Sequence, residues 1–423
     1  MHQATNRCWR NRVALAATLF LSATQLWAQS PPASATAVSS LKQAFETAWA
    51  RQPEAQSLNT RRDAASARRE AADSWLAEPP SIELSDKTDQ INSNQGMREY
   101  QVGLAMPLWL PGERTRTATL ADAESRMASS RALAAQLRVA ASIREAWWLW
   151  QRAQGEQALA RERLTSARQL ADDVARRVKA GDLARSDQHQ AEGAAASAEM
   201  AVSEAEAALA ATTQQLRAMI GAAPDKAVAA NMETLPAAPA DFAALDTTHP
   251  AVIELIDRAE VARKSADLAA SQSRANPELM LATTRDRSVF GEPWQQTITV
   301  GIRIPFGFES LQRAKVGAAR AEVIEAEAQM RIERERLIAD LEATRVRVAS
   351  AQNQLKAAEK RATLARESRS FFEKSFRLGE TDLPTRLRIE LEAVDAERQM
   401  TRTRIELAAA ISAFRQAMGL LPD

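Results

Sequence analysis

The chain is written twice, and that constrains its fold more than any single motif. Pro53 in ARQPEA is answered by Pro250 in TTHPAV, and Pro80 in EPPSIEL by Pro277 in ANPELML, each 197 residues on. Val102-Gly103-Leu104 with Pro107 is answered by Val300-Gly301-Ile302 with Pro305, at an offset of 198. Gly181 in VKAGDL and Gly221 in LRAMIG are answered at that offset by Gly379 in FRLGET and Gly419 in FRQAMG. Anchors holding one offset across the chain mark a tandem duplication, so the fold must seat two like units together. The boundaries read as a signal over 1–28, an N-terminal segment over 29–39, a first repeat over 40–221, a Pro- and Ala-rich linker over 222–247 and a second repeat over 248–421.

Each repeat carries the same order of elements. A helix comes first, near 40–77 and 250–275, then two short strand-like segments over about 81–107 and 278–305. A very long helix follows, then a glycine break at 181 or 379, then a second long helix. Glu113 to Ala180 contains no proline and one glycine, Gly155, and Glu309 to Leu378 likewise holds only Gly317. At about 1.5 Å per residue such helices approach ~100 Å, deeper than any globular core. They must pack lengthwise, as the alanine-dominated apolar share of 45% favours. Leu311, Ala314, Ala318, Ala321 and Ile324 recur at helical steps as a seam. A solvated coiled coil has the same periodicity, so the helices alone leave the choice open.

The strands are more selective. Ile298, Val300, Ile302 and Ile304 alternate with Thr297, Thr299, Gly301 and Arg303; Tyr100, Val102, Leu104 and Met106 alternate with Glu99, Gln101, Gly103 and Ala105. Segments of about nine to eleven residues with one apolar and one polar face fit tilted transmembrane β-strands. Pairing of 81–88 with 98–107, and of 278–287 with 296–305, leaves polar hairpin loops, and Pro107 and Pro305 are placed to end the second strand of each pair. Four strands close no barrel, and an open edge in lipid leaves backbone groups unpaired at several kcal/mol each. In a membrane, several chains must share one barrel, and three copies would supply twelve strands. Trp75 and Trp109 flank the first strand pair, where interfacial anchoring and packing at the strand-to-helix joint are equally good readings. Trp147, Trp148 and Trp150 lie mid-helix and read as a packing belt.

Other features exclude functions. Arg7, Arg10 and Arg12 before the apolar run Val13 to Ala23, with Leu26-Trp27-Ala28 behind it, have the order of a cleaved secretory signal. Cys8 precedes that run, so the processed chain has no cysteine for a disulfide, a thiol nucleophile or a thiolate metal site. A formal net charge of +1 gives no pull towards nucleic acid. Only His189 and His249 remain after processing, in different repeats, and no phosphate-binding glycine loop occurs. The expectation is a non-enzyme without cofactor or bound metal.

The duplication, the VGLAMPL and VGIRIPF strands and the glycine breaks at Gly181 and Gly379 resemble TolC-like outer-membrane efflux proteins from about residue 40 to 420. The resemblance implies a mainly α fold with a membrane β-barrel. Tandem-duplicated helical hairpins would form a periplasmic α-barrel, and four strands per chain would join a trimeric twelve-stranded barrel in outer-membrane lipid. It implies a passive duct serving a periplasmic adaptor and an inner-membrane RND-type pump. PLWLPGER and FRLGETDLP look most like the CzcC-like heavy-metal-efflux branch. It places the adaptor at the hairpin tips: Arg177, Val178, Gly181, Leu183 and Arg185, and in the second copy Phe376, Arg377, Gly379, Thr381 and Leu383. The family often has arginine four residues before the glycine; Arg177 matches and Ser375 does not, so the tips need not bind equally. Asp182, Asp187, Glu380 and Asp382 gather there too, either as a cation-attracting ring at the aperture or, for Asp182 and Glu380, as charges favouring the next helix N-terminus. The competing reading is a soluble periplasmic coiled-coil adaptor or scaffold with a small β-domain.

Overall fold

The computed structural model describes residues 38–225, 231–237, 245–307 and 309–423. The signal assigned to 1–28, the N-terminal segment up to residue 37 and parts of the 222–247 linker lie outside the described residues. The elements are α1 (Leu41–Ala50), α2 (Pro53–Ala72), β1 (Ser81–Thr88), β2 (Arg98–Pro107), α3 (Glu113–Ala180) and α4 (Arg185–Ile220), then α5 (Leu245–Thr248), α6 (Pro250–Ser271), β3 (Glu278–Arg287), β4 (Gln295–Arg303), α7 (Glu309–Arg377) and α8 (Leu383–Ala417).

Proline and glycine set the helix ends. The first helix, expected whole over 40–77, is broken, because Pro53 takes the first position of α2 and has no N–H to carry α1 onward. Pro250 opens α6 in the same way. With no internal proline, α3 and α7 run 68 and 69 residues. α4 packs along α3 and α8 along α7, while α6 lies between α3 and α7, and α2 packs on α3. Arginine–glutamate pairs run along the contacts: Arg161–Glu206 at 2.7 Å and Arg168–Glu199 at 2.6 Å join α3 to α4, and Arg398–Glu156 at 3.1 Å joins α8 to α3. Exposed pairs of this kind contribute about 0–1 kcal/mol each and serve register more than stability. Gly155 lets α8 approach α3, since a Cβ there would stand 3.3 Å from the Thr401 methyl. The seam from Leu311 to Ile324 is not covered within the chain: both named ends are exposed.

The four strands form one antiparallel sheet in sequence order, β1-β2-β3-β4. Each hairpin pairs internally, and β2 pairs with β3 from Arg98↔Arg287 to Pro107↔Glu278, joining the repeats. Pro107 is the last residue of its ladder, whereas Pro305 lies two residues beyond β4, which stops at Arg303. The register sets Ile82 beside Leu104, Leu104 beside Leu281 and Leu281 beside Val300, so one face is apolar across all four strands. Glu83, Gly103, Ala282 and Thr299 run across the other.

Midway along α3 the chain buries a tryptophan-rich core. Trp147, Trp148 and Trp150 are buried with Phe45, Ile143, Leu216 and Ile220. Val38, just before the first repeat, bridges to Pro224, just after it. Glu233, on the linker, is buried and joins both repeats. It meets Arg144 of α3 at 2.8 Å and Arg415 of α8 at 3.2 Å, and accepts from Ser412, which in turn accepts from Trp148 Nε1 at 2.8 Å. Removing one partner of a buried ion group leaves an uncompensated charge. Glu233→Gln is therefore expected to lower stability by about 3–5 kcal/mol, read as a fall in the urea midpoint of tryptophan fluorescence. An unchanged midpoint would mean that the linker is not held by this group.

His249 caps α6, its Nδ1 accepting from Ala251 N at 3.3 Å, and burial pushes its imidazole below the ordinary value. The neutral form is the folded one. Its contribution is full above about pH 6.5, the unfolded value, and is lost as the pH falls towards the folded value. His249→Asn keeps a capping acceptor without titrating. Melting at pH 8 and pH 5 should show a larger acid-induced drop for the wild type than for the variant.

Candidate functional site: the uncovered sheet and the hairpin tips

The apolar sheet face is not packed against any helix. Ile82 and Leu84 of β1 are 71% and 74% exposed, and Ile298, Val300 and Ile302 of β4 are 73%, 68% and 63% exposed. Burying an isoleucine or leucine side chain is worth roughly 1.5–3 kcal/mol, so a face left bare like this marks a surface that something apolar covers. Each edge strand is paired on one side only within the chain, β1 with β2 and β4 with β3.

At the helix end of the sheet the joint is closely bonded. Trp109 Nε1 donates to the Ser74 carbonyl at 3.1 Å, the Ala77 N–H to the Pro107 carbonyl at 3.1 Å, and the Leu108 N–H to the Pro277 carbonyl at 2.7 Å. Trp109 is thus brought beside the residue preceding Trp75, while the Trp75 ring is exposed. Buried Glu113 accepts from Leu110 N at 2.9 Å and Gln272 Nε2 at 2.7 Å, fixing the start of α3. At the loop end sits a group that the sequence reading missed: Tyr100, Phe290 and Trp294 with Arg285 and Arg287. Its available signal was the spacing of two arginines and two aromatics in RDRSVFGEPW.

The hairpin tips lie at the far ends of the long helices and share the backbone bonds of their glycine turns. Gly181 and Gly379 have φ of 88° and 80°, a left-handed turn that glycine adopts without steric cost. Gly181 N donates to Val178 O and Asp182 N to Arg177 O; Gly379 N donates to Phe376 O and Glu380 N to Ser375 O. The two tips also meet. Arg177 donates to the Phe376 carbonyl at 3.1 Å, and the guanidinium groups of Arg177 and Arg386 each lie 4.9 Å from the Phe376 ring centre. Around this ring Leu170, Val174, Ala191 and Leu383 form a small core.

Burial separates the tip residues into two kinds. Phe376 and Leu383 are each 1% exposed, so within the chain they hold the tip together rather than offer a surface. Arg185, Arg377, Gly181 and Gly379 are exposed, and Arg177, Val178, Leu183 and Thr381 are half-buried. Two of the four acids bond backbone N–H groups at the helix starts. Asp382 accepts from Thr385 N at 3.3 Å as the N-cap of α8, and Asp187 accepts from Ala184 N at 3.1 Å at the start of α4. The bonds to Thr385 hold the Asp382 carboxyl below its ordinary range. Asp182 and Glu380 stand exposed one residue after the glycines. Among the described residues no group of three or more His, Cys, Asp or Glu side chains could hold a metal ion, and no helix is long and apolar enough to cross a membrane. Phe376→Ala should open the tip core and raise amide exchange at 174–183 and 374–383 at least tenfold, whereas exposed Phe371→Ala should not. Equal exchange in both variants would contradict the packing role.

Residues 44–222 match the family model described as outer membrane efflux protein. No curated protein is similar enough in sequence to match. Among solved structures, the outer membrane protein VceC of Vibrio cholerae is 18% identical, with a TM-score of 0.69 over 90% of this chain and 96% of its own. The CmeC outer membrane channel of Campylobacter jejuni is 13% identical, with a TM-score of 0.71 over 90% of this chain and 85% of its own. The open state of the MtrE outer membrane channel of Neisseria gonorrhoeae is 14% identical, with a TM-score of 0.70 over 92% of this chain and 94% of its own. The chain therefore has the fold of these outer-membrane channels, and its first repeat matches the outer membrane efflux protein family.

Proposed function

We propose that this chain is one third of a trimeric outer-membrane exit duct of the efflux family. It would receive substrate from an inner-membrane pump through a periplasmic adaptor and conduct it passively outward. The observation that carries the reading is the sheet: four strands of 8, 10, 10 and 9 residues, one apolar face bare, and two edges open at once. Only closure with further copies satisfies both edges in hydrocarbon. The helices support the same closure. α6 is flanked by α3 and α7, but its repeat counterpart α2 packs chiefly on α3. A neighbour's α7, with its exposed Leu311 and Ile324, supplies the absent flank. A soluble scaffold would need another cover for the bare sheet face, and the likeness to outer-membrane channels favours lipid.

In this reading the exposed tip residues Arg185, Arg377, Gly181 and Gly379, with half-buried Arg177, Val178, Leu183 and Thr381, meet the adaptor, while Phe376 and Leu383 shape the surface from beneath. Trp75 and Trp109 lie at the periplasmic membrane boundary. The proposed cargo is a heavy-metal cation, on the resemblance of PLWLPGER and FRLGETDLP. A duct that conducts needs weak sites, such as rings of acids at the aperture, rather than a tight ligand set. Asp182 and Glu380 are the better probes of such rings, since Asp187 and Asp382 also cap helices. Purified protein added to a planar bilayer should give discrete conducting steps, and Asp182→Lys with Glu380→Lys should lower the cation-to-anion permeability ratio. Conductance with an unchanged ratio removes the rings; no conductance in either protein counts against the duct.

A further inference from the structure

The loop end of the sheet carries charge on the face that the duct turns to lipid. The ladder sets Arg285 beside Tyr100 and Arg287 beside Arg98, the same side of the sheet as Val102, Leu281 and Ile298. The Arg287 guanidinium lies 4.9 Å from the Trp294 ring centre and 5.5 Å from that of Phe290, and Arg285 lies 5.3 Å from Trp294. Tyr100 stands 5.7 Å from Trp294, and Arg287 Nε donates to the Gly96 carbonyl at 3.2 Å. The nearby ion pairs go elsewhere, Arg98 to Asp89 at 3.6 Å and Lys87 to Glu99 at 3.3 Å. Among the described residues neither Arg285 nor Arg287 has a carboxylate in ion-pair contact. Asp286 and Glu99 stand opposite each other in the ladder on the other face, and Asp86, opposite Tyr100, is an acid on this one.

Two like charges two residues apart on one strand repel, and facing hydrocarbon they are costly. Contact with the Trp294 and Phe290 rings holds the two guanidinium groups, Arg285 exposed and Arg287 half-buried, and guanidinium groups held in this way can take a phosphate. Directly below, the same face is a continuous apolar band along which acyl chains can lie. We propose that Arg285 and Arg287, held by Trp294, form a binding site for the phosphate of a phosphorylated glycolipid headgroup in the leaflet at the loop end. The proposal rests on the reading that this face meets lipid. An apolar cover by protein would leave both charges in an interface without a partner, whereas a phosphate beside acyl chains satisfies charge and band together.

The test uses the purified full chain in detergent, with diphosphoryl lipid A as probe and native mass spectrometry as readout. The wild type should retain the probe at least tenfold more strongly than Arg285→Gln/Arg287→Gln, and Arg285→Lys/Arg287→Lys should fall between them. Dephosphorylated lipid A should be held equally weakly by all three. Equal retention of the diphosphoryl probe by wild type and Gln variant overturns the site, as does displacement by equimolar inorganic phosphate, which would mark a free-anion site. Insertion into phosphatidylcholine vesicles separates the two readings. If wild type and Gln variant both insert and retain the probe alike, only the headgroup site fails. If neither inserts, the membrane reading fails and takes the site with it.

Discussion

The structure turns on unfinished backbone hydrogen bonding. A strand inside a sheet has both rows of N–H and C=O groups paired; β1 and β4 each have one row paired within the chain. In water such an edge is a liability, and in hydrocarbon each orphaned group costs several kcal/mol. The chain pairs neither edge with another of its own strands. It lines them with Ile82, Leu84, Ile298 and Val300 on one side, residues that make the same face unwelcome in water. The two demands together, paired edges and a covered face, are met at once by a closed barrel in lipid.

The duplication explains how one chain joins two like units. Within the chain the junction between repeats is complete: β2 pairs with β3, and α6 fits between α3 and α7. Beyond the second repeat no equivalent junction forms within the chain: β4 is paired on one side only, and the part of α7 around Leu311 and Ile324 is exposed. Glu233 links the repeats by holding α3 and α8 through two buried arginines, and the tryptophan belt packs beside it. At the far end the Arg177–Phe376–Arg386 stack ties the two hairpin tips, so a protomer is braced at the middle and at the tip.

Much of this was legible in the residues because it rests on local rules. Proline-free spans bounded by glycine gave the lengths of α3 and α7, and alternation of period two gave the sheet faces. Pro53 carried the break between α1 and α2 as plainly as Pro250 did at α6, though a single helix was expected. Position relative to a glycine said nothing of burial, so Phe376 and Leu383 looked like tip surface but close a small core. Asp382 and Asp187 bond backbone N–H groups at the starts of α8 and α4, contacts that the position of an acid after a glycine does not reveal. Glu233 gave no sequence signal because its partners lie 89 and about 180 residues away. The Arg285–Trp294 stack needed the hairpin register, which pairs residues that are not neighbours along the chain.

The most direct test of the central claim is the native mass of the protein extracted from cell envelopes, measured with and without detergent. The account predicts a particle of three chains that is released only with detergent, because both open edges and the bare face are then satisfied by copies and by amphiphile. A single chain or a dimer released in buffer alone would contradict it, since the strands would then lie outside lipid and the edges would be closed by some other means.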